Sequence, residues 1–257
     1  MTPSIKLISL NIERAKHLDR VLPFLAKEQP DVVCLQEIRE PDIPLLKDAI
    51  RAYDHLFAGM YHHPAEGNPS VVGACIFSRL PFREHSVDYY RGSPDALPNA
   101  IEIPEEEKDD AVVASSVNCV LASVDVEKGR SLFKIATTHF LWSRKGRFTE
   151  YQREDMRKLL ALLAQKAEFV LAGDFNALRG GEIFGMLAAK YKDNVPMRYK
   201  TSLDASLHRS GKLYAEQLAD KMVDGIFSTS SYIVSDVELI CGISDHCAIV
   251  AHVLKPH

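Results

Sequence analysis

Along this chain, apolar runs that stop abruptly alternate with stretches whose apolar positions recur every three or four residues. Residues 5–12, IKLISLNI, read as a strand, and residues 17–28, HLDRVLPFLAKE, place Leu18, Val21, Leu22 and Leu25 on one side of a helix. Pro23 fits that helix if Asp19 is the N-cap, because the lost hydrogen bond then falls in the first turn. After a break at QPD, VVCLQEI reads as a second strand, and PDIPLLKDAIRAY as a second helix. The pattern then becomes strand-rich through DHLFAGMY, VVGACIFSRL and HSVDYY, with residues 91–110 as a long polar loop. VVASSVNCVLASVDV and RSLFKIATTHFLW form a hairpin around EKGR, with Gly129 in the turn. FTEYQREDMRKLLALLAQKA is an amphipathic helix whose apolar positions include Tyr151, Met156, Leu159, Leu160 and Leu163, and it reads as a core cover rather than a membrane face. EFVLAG is a strand, GEIFGMLAAKY a short helix and residues 192–216 a loop; MVDGIFST, YIVSDVELI and SDHCAIVAHVL end the chain as strands.

No repeat of fixed period and no low-complexity linker interrupts this order, and strands span the whole chain. The expectation is one α/β domain over residues 1–257, built from two sheets packed face to face with helices outside.

Composition narrows the picture in three ways. No apolar run is long enough to span a bilayer, and MTPSIKLISLNIERAK lacks the charged-then-apolar order of a signal peptide, so a cytoplasmic protein is expected. The five cysteines, Cys34, Cys75, Cys119, Cys241 and Cys247, are odd in number and without C-x-x-C spacing. They read as small buried apolar residues in a reducing compartment, not as zinc ligands or a disulfide framework. A net charge of −4 excludes a generally basic nucleic-acid binder and leaves local contact open. Residues 102–110 are strongly acidic, whereas positive charge gathers at Arg144, Lys145 and Arg147, at Arg198 and Lys200, and at His208, Arg209 and Lys212.

The chemistry lies where the apolar runs end. The first strand delivers Asn11, with Glu13 just beyond; LQEI delivers Glu37; IATTHFLW delivers His139; VLAGDFN delivers Asp174 and Asn176. MVDGIF places Asp224 early in a strand, and GISDHCAIV places Asp245 and His246 at the head of the last one. Any one of these is explained by a turn or a solvated edge; the whole set is not. Carboxylates without cysteine partners suit a hard cation such as Mg²⁺ or Mn²⁺. Histidine and asparagine suit phosphate oxygens, an aspartate can orient or deprotonate water, and a second aspartate can fix a histidine tautomer. The set reads as metal-assisted phosphate-ester hydrolysis.

The ordered motifs LNIE, LQEI, TTHFLW, GDFNA, MVDGIF and SDHCAIV resemble the endonuclease/exonuclease/phosphatase superfamily, the fold of pancreatic deoxyribonuclease and exonuclease III. The resemblance runs from Asn11 to Val250 and implies a four-layer α/β-sandwich: two packed, mainly antiparallel sheets flanked by helices, with the site at one edge. By the same resemblance, Glu37 binds the metal, Asn11 helps position metal and phosphate, and Asp245 serves the metal or the water. Asp174 aligns the attacking water with Asn176 as its phosphate-binding partner, His246 and His139 contact the phosphate, and Asp224 orients His246. Two positions depart from the family pattern. Thr138-His139-Phe140 stands where abasic-site enzymes carry a tyrosine motif, which points to deoxyribonuclease-, sphingomyelinase- or tyrosyl-DNA phosphodiesterase-like branches. Glu13 stands where many relatives have aspartate.

For the substrate, two readings of the basic stretches remain. Trp142 stacks on a base beside Arg144, Lys145 and Arg147, or it packs at a strand end above a solvated loop. Arg198 and Arg209 sit in a loop placed to line the mouth of the site. The leading expectation is a phosphodiesterase or nuclease; a phosphomonoesterase of a small phosphorylated molecule or lipid headgroup is the alternative, and a non-catalytic binding protein the third.

Overall fold

Strand β1 (Ser4–Asn11) shows how the layers arise: Ile5 and Leu7 face one core, and Ile8 and Leu10 another. Strand β2 (Val32–Arg39) alternates likewise, with Val32 and Cys34 on one side and Val33 and Leu35 on the other. Sheets buried on both faces need such continuous apolar runs. The computed structural model describes residues 3–64, 69–101, 109–209 and 211–256, without the side chains of Lys145 and residues 212–214. Most of the acidic run at 102–110, and the side chains of Lys145 and Lys212, therefore lie outside the described residues.

The remaining elements are α1 (Leu18–Glu28), α2 (Ile43–Ile50), β3 (Asp54–His63), β4 (Ser70–Ser78), β5 (Phe82–Arg91), α3 (Asp110–Ser115), β6 (Cys119–Lys128), β7 (Ser131–His139), α4 (Glu150–Ala164), β8 (Val170–Asp174), α5 (Glu182–Ala188), β9 (Lys192–Asp193), α6 (Gly211–Leu218), β10 (Asp224–Ser228), β11 (Ile233–Ile240) and β12 (Ala248–Leu254). Among the described residues they form two six-stranded sheets, in the orders β11-β12-β1-β2-β4-β3 and β5-β6-β7-β8-β10-β9. Each sheet holds one parallel pair at its centre, β1 with β2 and β7 with β8, flanked by antiparallel strands. One apolar cluster lies between the sheets; α1 and α2 cover the first sheet, and α3, α4 and α5 the second. This is the four-layer sandwich expected from the motifs.

Several local expectations change. Helix α1 begins at Leu18, so Asp19 lies in its first turn rather than at the cap and Pro23 sits inside the helix. The tertiary cover that Val21, Phe24 and Leu25 provide outweighs the hydrogen bond Pro23 removes. Residues 112–115, expected to open a strand, belong to α3, whose Asp109 cap accepts a hydrogen bond from the Val112 N–H. Tyr151 does not join the apolar side of α4; it is exposed beneath the Arg91 guanidinium. The loop expected over 192–216 contains β9 and the start of α6.

Cysteine usage also differs. Cys34, Cys75 and Cys119 are free and buried, as expected, but Cys241 and Cys247 form a disulfide. The ladder between β11 and β12 ends on the pair Ile240 and Ala248, which sets the two cysteines face to face across the turn. C-x-x-C spacing does not detect a bridge made by strand register. Among the described residues no helix is long and apolar enough to cross a membrane.

This short covalent ring predicts a measurable contribution to stability. Cys241→Ser should lower unfolding free energy in urea by about 2 kcal/mol under oxidising conditions, from loop closure alone. Added thiol reductant should bring wild type and variant to the same midpoint. Equal midpoints without reductant would show that the bridge adds nothing.

Candidate functional site

A parallel strand pair ends both strands at the same edge, and here the two central pairs end side by side. Asn11 closes β1, Glu37 lies near the end of β2, His139 closes β7 and Asp174 closes β8. The sheets are joined at this edge: Asn11 Nδ2 donates to Asp174 Oδ2 at 3.1 Å and to Glu37 Oε1 at 3.2 Å. Deeper in, Gln36 Nε2 donates to Thr137 Oγ1 at 3.0 Å, another polar tie through a mostly apolar interface.

Backbone irregularities aim the side chains. The register of β2 against β4 shifts between Leu35 and Ile38, and Glu37 in that bulge has φ of 56°. Glu13, Arg14 and Asn176 are also left-handed, at φ of 46°, 62° and 47°. Such conformations in residues other than glycine cost energy and gather where a site must be shaped. Gly173 allows the tight approach of β8 to β7, since a Cβ there would lie 2.1 Å from the Thr138 carbonyl oxygen.

Asp174 is the centre of the cluster. Its Oδ1 accepts from the Asn176 N–H at 2.8 Å. Its Oδ2 faces Asn11, His139 Nε2 at 3.5 Å and His246 Nε2 at 3.8 Å. Asn176 is held in turn, donating from Nδ2 to the Phe140 carbonyl at 2.9 Å. His139 is buried, and its Nδ1 has no hydrogen-bond partner. Asp224 pairs with Asp174 in the β10–β8 ladder, and its Oδ2 lies 2.7 Å from His246 Nδ1. Burial disfavours a charged His246, yet Asp224, Asp174 and Asp245 outweigh it and hold the imidazole pKa well above its usual value. The three carboxyls therefore favour the protonated imidazole.

A second group of carboxylates adjoins the first. Glu13 Oε1 and Oε2 accept from Lys16 Nζ at 2.8 and 2.9 Å, and Oε2 also meets His17 Nε2 at 3.0 Å. Against the burial that would raise it, these partners and Arg14 hold the Glu13 carboxyl below its usual value. Glu37 Oε2 accepts from Arg14 Nη1 at 2.9 Å. Burial pushes the Asp245 carboxyl up; His246 opposes this, Glu13 and Glu37 reinforce it, and the pKa rises to about 6. One ligand atom from each of Glu13, His17 and Asp245 lies within 4.8 Å of the others.

Thus Asn11, Glu37, His139, Asp174, Asn176, Asp224, Asp245 and His246 all converge. The proposed substrate residues behave differently. Trp142 is half-buried and packs against the apolar cluster under the second sheet, the packing alternative. Arg144 and Arg147 line a cavity of about 450 Å³ with Phe148, Gln152 and Leu178. That cavity adjoins the site, because buried Gln152 donates to the Asn176 carbonyl at 3.2 Å. Arg198 turns from the cluster, lying over the Tyr199 ring at 4.7 Å with its guanidinium 3.5 Å from the Val237 carbonyl. Arg209 is exposed beside His208. Burial, the His246 charge and Arg209 bring His208 down to about 4.

Sequence reasoning missed His17, Arg14 and Tyr61. His17 stands four residues after Glu13, a spacing that would have linked them had the turn at 13–17 been expected. Tyr61 touches the charge of Arg14 and Glu37, and burial raises its hydroxyl above the usual range. It is the last residue of the DHLFAGMY strand pattern, and as a partly apolar ring it did not stand out there.

Comparison with known proteins agrees with this geometry. A search of curated protein sequences returned no match. Among solved structures, an endonuclease/exonuclease/phosphatase from Beutenbergia cavernae superposes with a TM-score of 0.73 at 20% identity, covering 98% of this chain and 72% of that one. The human nocturnin catalytic domain with bound sulfate gives 0.67 at 18% identity, over 100% and 96% of the two chains. A mannosyl-6-phosphatase from Bacteroides thetaiotaomicron gives 0.65 at 13% identity, over 97% and 99%. At these identities the likeness speaks to the fold. The sequence profile of the Endonuclease/Exonuclease/phosphatase family matches residues 8–246, and so the chain belongs to that family.

Proposed function

We propose that this protein is a divalent-cation-dependent phosphodiesterase that directs water in line at phosphorus. The observation that carries the reading is the convergence on Asp174 Oδ2 of Asn11, His139 and His246, with Glu13, Glu37 and Asp245 alongside. The second group fits a cation: burial and two neighbouring carboxylates raise Asp245 to about 6, and the donors are hard oxygens with one imidazole. Glu37, Glu13, Asp245, Asn11 and His17 would hold Mg²⁺ or Mn²⁺, which supplies positive charge to the phosphate oxygens and leaving group.

The chain's own groups do the rest. Asp174, oriented by Asn11 and the Asn176 N–H, accepts the proton of the attacking water. His246, kept protonated and pointed by Asp224, donates from Nε2 to a non-bridging oxygen. His139 donates to the same region from its own Nε2, and Asn176 holds the turn beside it. Five carboxylates at this edge favour a singly charged diester over a doubly charged monoester, since each extra negative charge must be brought in against them. Arg144 and Arg147 flank the adjoining cavity, where the rest of the ester extends. Arg198 and Arg209 lie outside this reading.

The test uses purified protein with Mg²⁺ or Mn²⁺ and three substrates in parallel: bis-p-nitrophenyl phosphate, p-nitrophenyl phosphate and supercoiled plasmid. Diester turnover should fall about 10²–10⁴-fold in Asp174→Ala. Hydrolysis of the monoester alone would replace the reading with a phosphatase. In a thermal melt, Mn²⁺ should raise the midpoint of wild type and fail to raise that of the Glu13→Gln, Asp245→Asn double variant.

Electrostatics supply a further check. Because the folded His246 pKa is raised, its ion pair stabilises the fold fully below the unfolded value of about 6.5 and is lost as pH rises through the folded value. Asp224→Asn should bring the His246 titration down by about 1–3 units, read by NMR of the imidazole. An unmoved titration would remove Asp224 from its assigned role.

A further inference from the structure

The catalytic reading leaves one fully buried polar side chain beside the Asp224–His246 pair without a role. Ser202 lies in the segment before α6, which sequence reading treated as loop, and it is 0% exposed. Its Oγ accepts two backbone hydrogen bonds, from Val223 N–H and Asp224 N–H, both at 3.1 Å. Its N–H donates to the Lys221 carbonyl at 3.1 Å, and its carbonyl accepts from the Cys247 N–H at 2.7 Å. A hydroxyl has two acceptor sites and one proton. Both acceptor sites are filled by the strand entry that carries Asp224. The proton is left for the Asp224 carboxylate: burial raises that carboxyl, and a Ser202 hydrogen bond acts against the rise.

The same segment pairs with the loop that carries His246. Leu203 and His246 form an isolated antiparallel bridge, flanked by the Cys247 N–H on Ser202 and the Asp204 N–H on the Asp245 carbonyl at 2.8 Å. Asp204 Oδ2 accepts from the Gly242 N–H at 2.6 Å, which closes the far end. Asp224 and His246 come from different elements, and neither strand ladder joins them, because β10 and β12 belong to different sheets. Ser202 is bonded to the backbone on both sides of the gap.

We propose that Ser202 is the positioning residue of the Asp224–His246 pair, setting the two side chains at hydrogen-bonding distance across the boundary between the sheets. Its contribution to turnover rests on the phosphodiesterase reading; its contribution to the pair does not. Loss of the hydroxyl misplaces an imidazole that must meet the phosphate in one orientation.

Ser202→Ala should lower kcat on bis-p-nitrophenyl phosphate by about 10–100-fold with KM unchanged. Leu160→Ala, which opens a cavity under α4 far from this edge, should lower the melting temperature and leave kcat intact. In an Asp224→Ala background, where the pair is already broken, adding Ser202→Ala should change kcat by less than about twofold. A fourth reading needs no substrate: the downfield proton of the Asp224–His246 hydrogen bond should be visible by NMR in wild type and absent in Ser202→Ala. Ser202→Cys, close in size and poor at hydrogen bonding, should behave like the alanine variant and replaces it if that variant does not fold. Unchanged kcat, a loss confined to KM, multiplicative losses in the Asp224→Ala background, or a retained downfield proton would each overturn the proposal. If wild type hydrolyses no ester, the NMR comparison alone still decides it.

Discussion

Asp174 is the group on which the rest of this edge depends. It closes the central strand of one sheet, yet it accepts a hydrogen bond from Asn11, which closes the central strand of the other. A bond of that kind across two packed sheets exists only if the carboxyl ends of the two parallel pairs come out at the same height. The ladders ensure this. Read outward from β3 and from β5, the two sheets show the same sequence of pairings: antiparallel, antiparallel, parallel, antiparallel, antiparallel. The polar ties at Asn11–Asp174 and Gln36–Thr137, with Tyr89–Gly59 further along, help fix their relative height inside an interface that is mostly apolar and non-directional.

The cost of this arrangement is electrostatic. Glu13, Asp174, Asp224 and Asp245 are each less than a tenth exposed, and Glu37 lies among them. Buried carboxylates persist when neighbours answer their charge. Here the answers are unequal. Asp224 has His246 and Glu13 has Lys16 and His17. Asp245 has His246 and the Ser244 hydroxyl to set against burial and two other acids, and its raised pKa records that shortfall. Asn11, His139 and His246 all meet Asp174 at Oδ2, and Asp245 acts on the same group through its charge on His246.

The layered fold and most of this cluster were legible in the chain because both rest on local pattern. Strands buried on both faces write themselves as apolar runs, and Asn11, His139 and Asp174 stand where those runs stop. The misses share a cause as well. Helix α3 follows a stretch acidic in sequence and carries β-branched valines, so its capping by Asp109 was hidden by apparent strand propensity. The Cys241–Cys247 bridge depends on the register of β11 against β12, and register is a property of pairing rather than of either strand. His17, Arg14 and Tyr61 enter the site through backbone turns and a neighbouring strand that no periodicity announces. Arg198, expected in a loop lining the mouth of the site, lies over the Tyr199 ring with its guanidinium near the Val237 carbonyl.

Ser202 belongs with those misses, and its case shows why they matter. A strand ladder positions groups within a sheet, but Asp224 and His246 sit in different sheets, as do Asn11 and Asp174. Each pair needs something other than a ladder to set its distance. Asn11 and Asp174 do so directly, through their own side chains. Asp224 and His246 also touch, yet His246 follows a turn rather than a strand, and a turn left to itself is the most mobile part of a sheet edge. The covalent ring of Cys241 and Cys247 closes that turn on itself, and the Ser202–Asp204 segment fastens it to the strand that carries Asp224. The loop before α6 thereby acts as a rung between the two sheets, where no strand ladder joins Asp224 to His246.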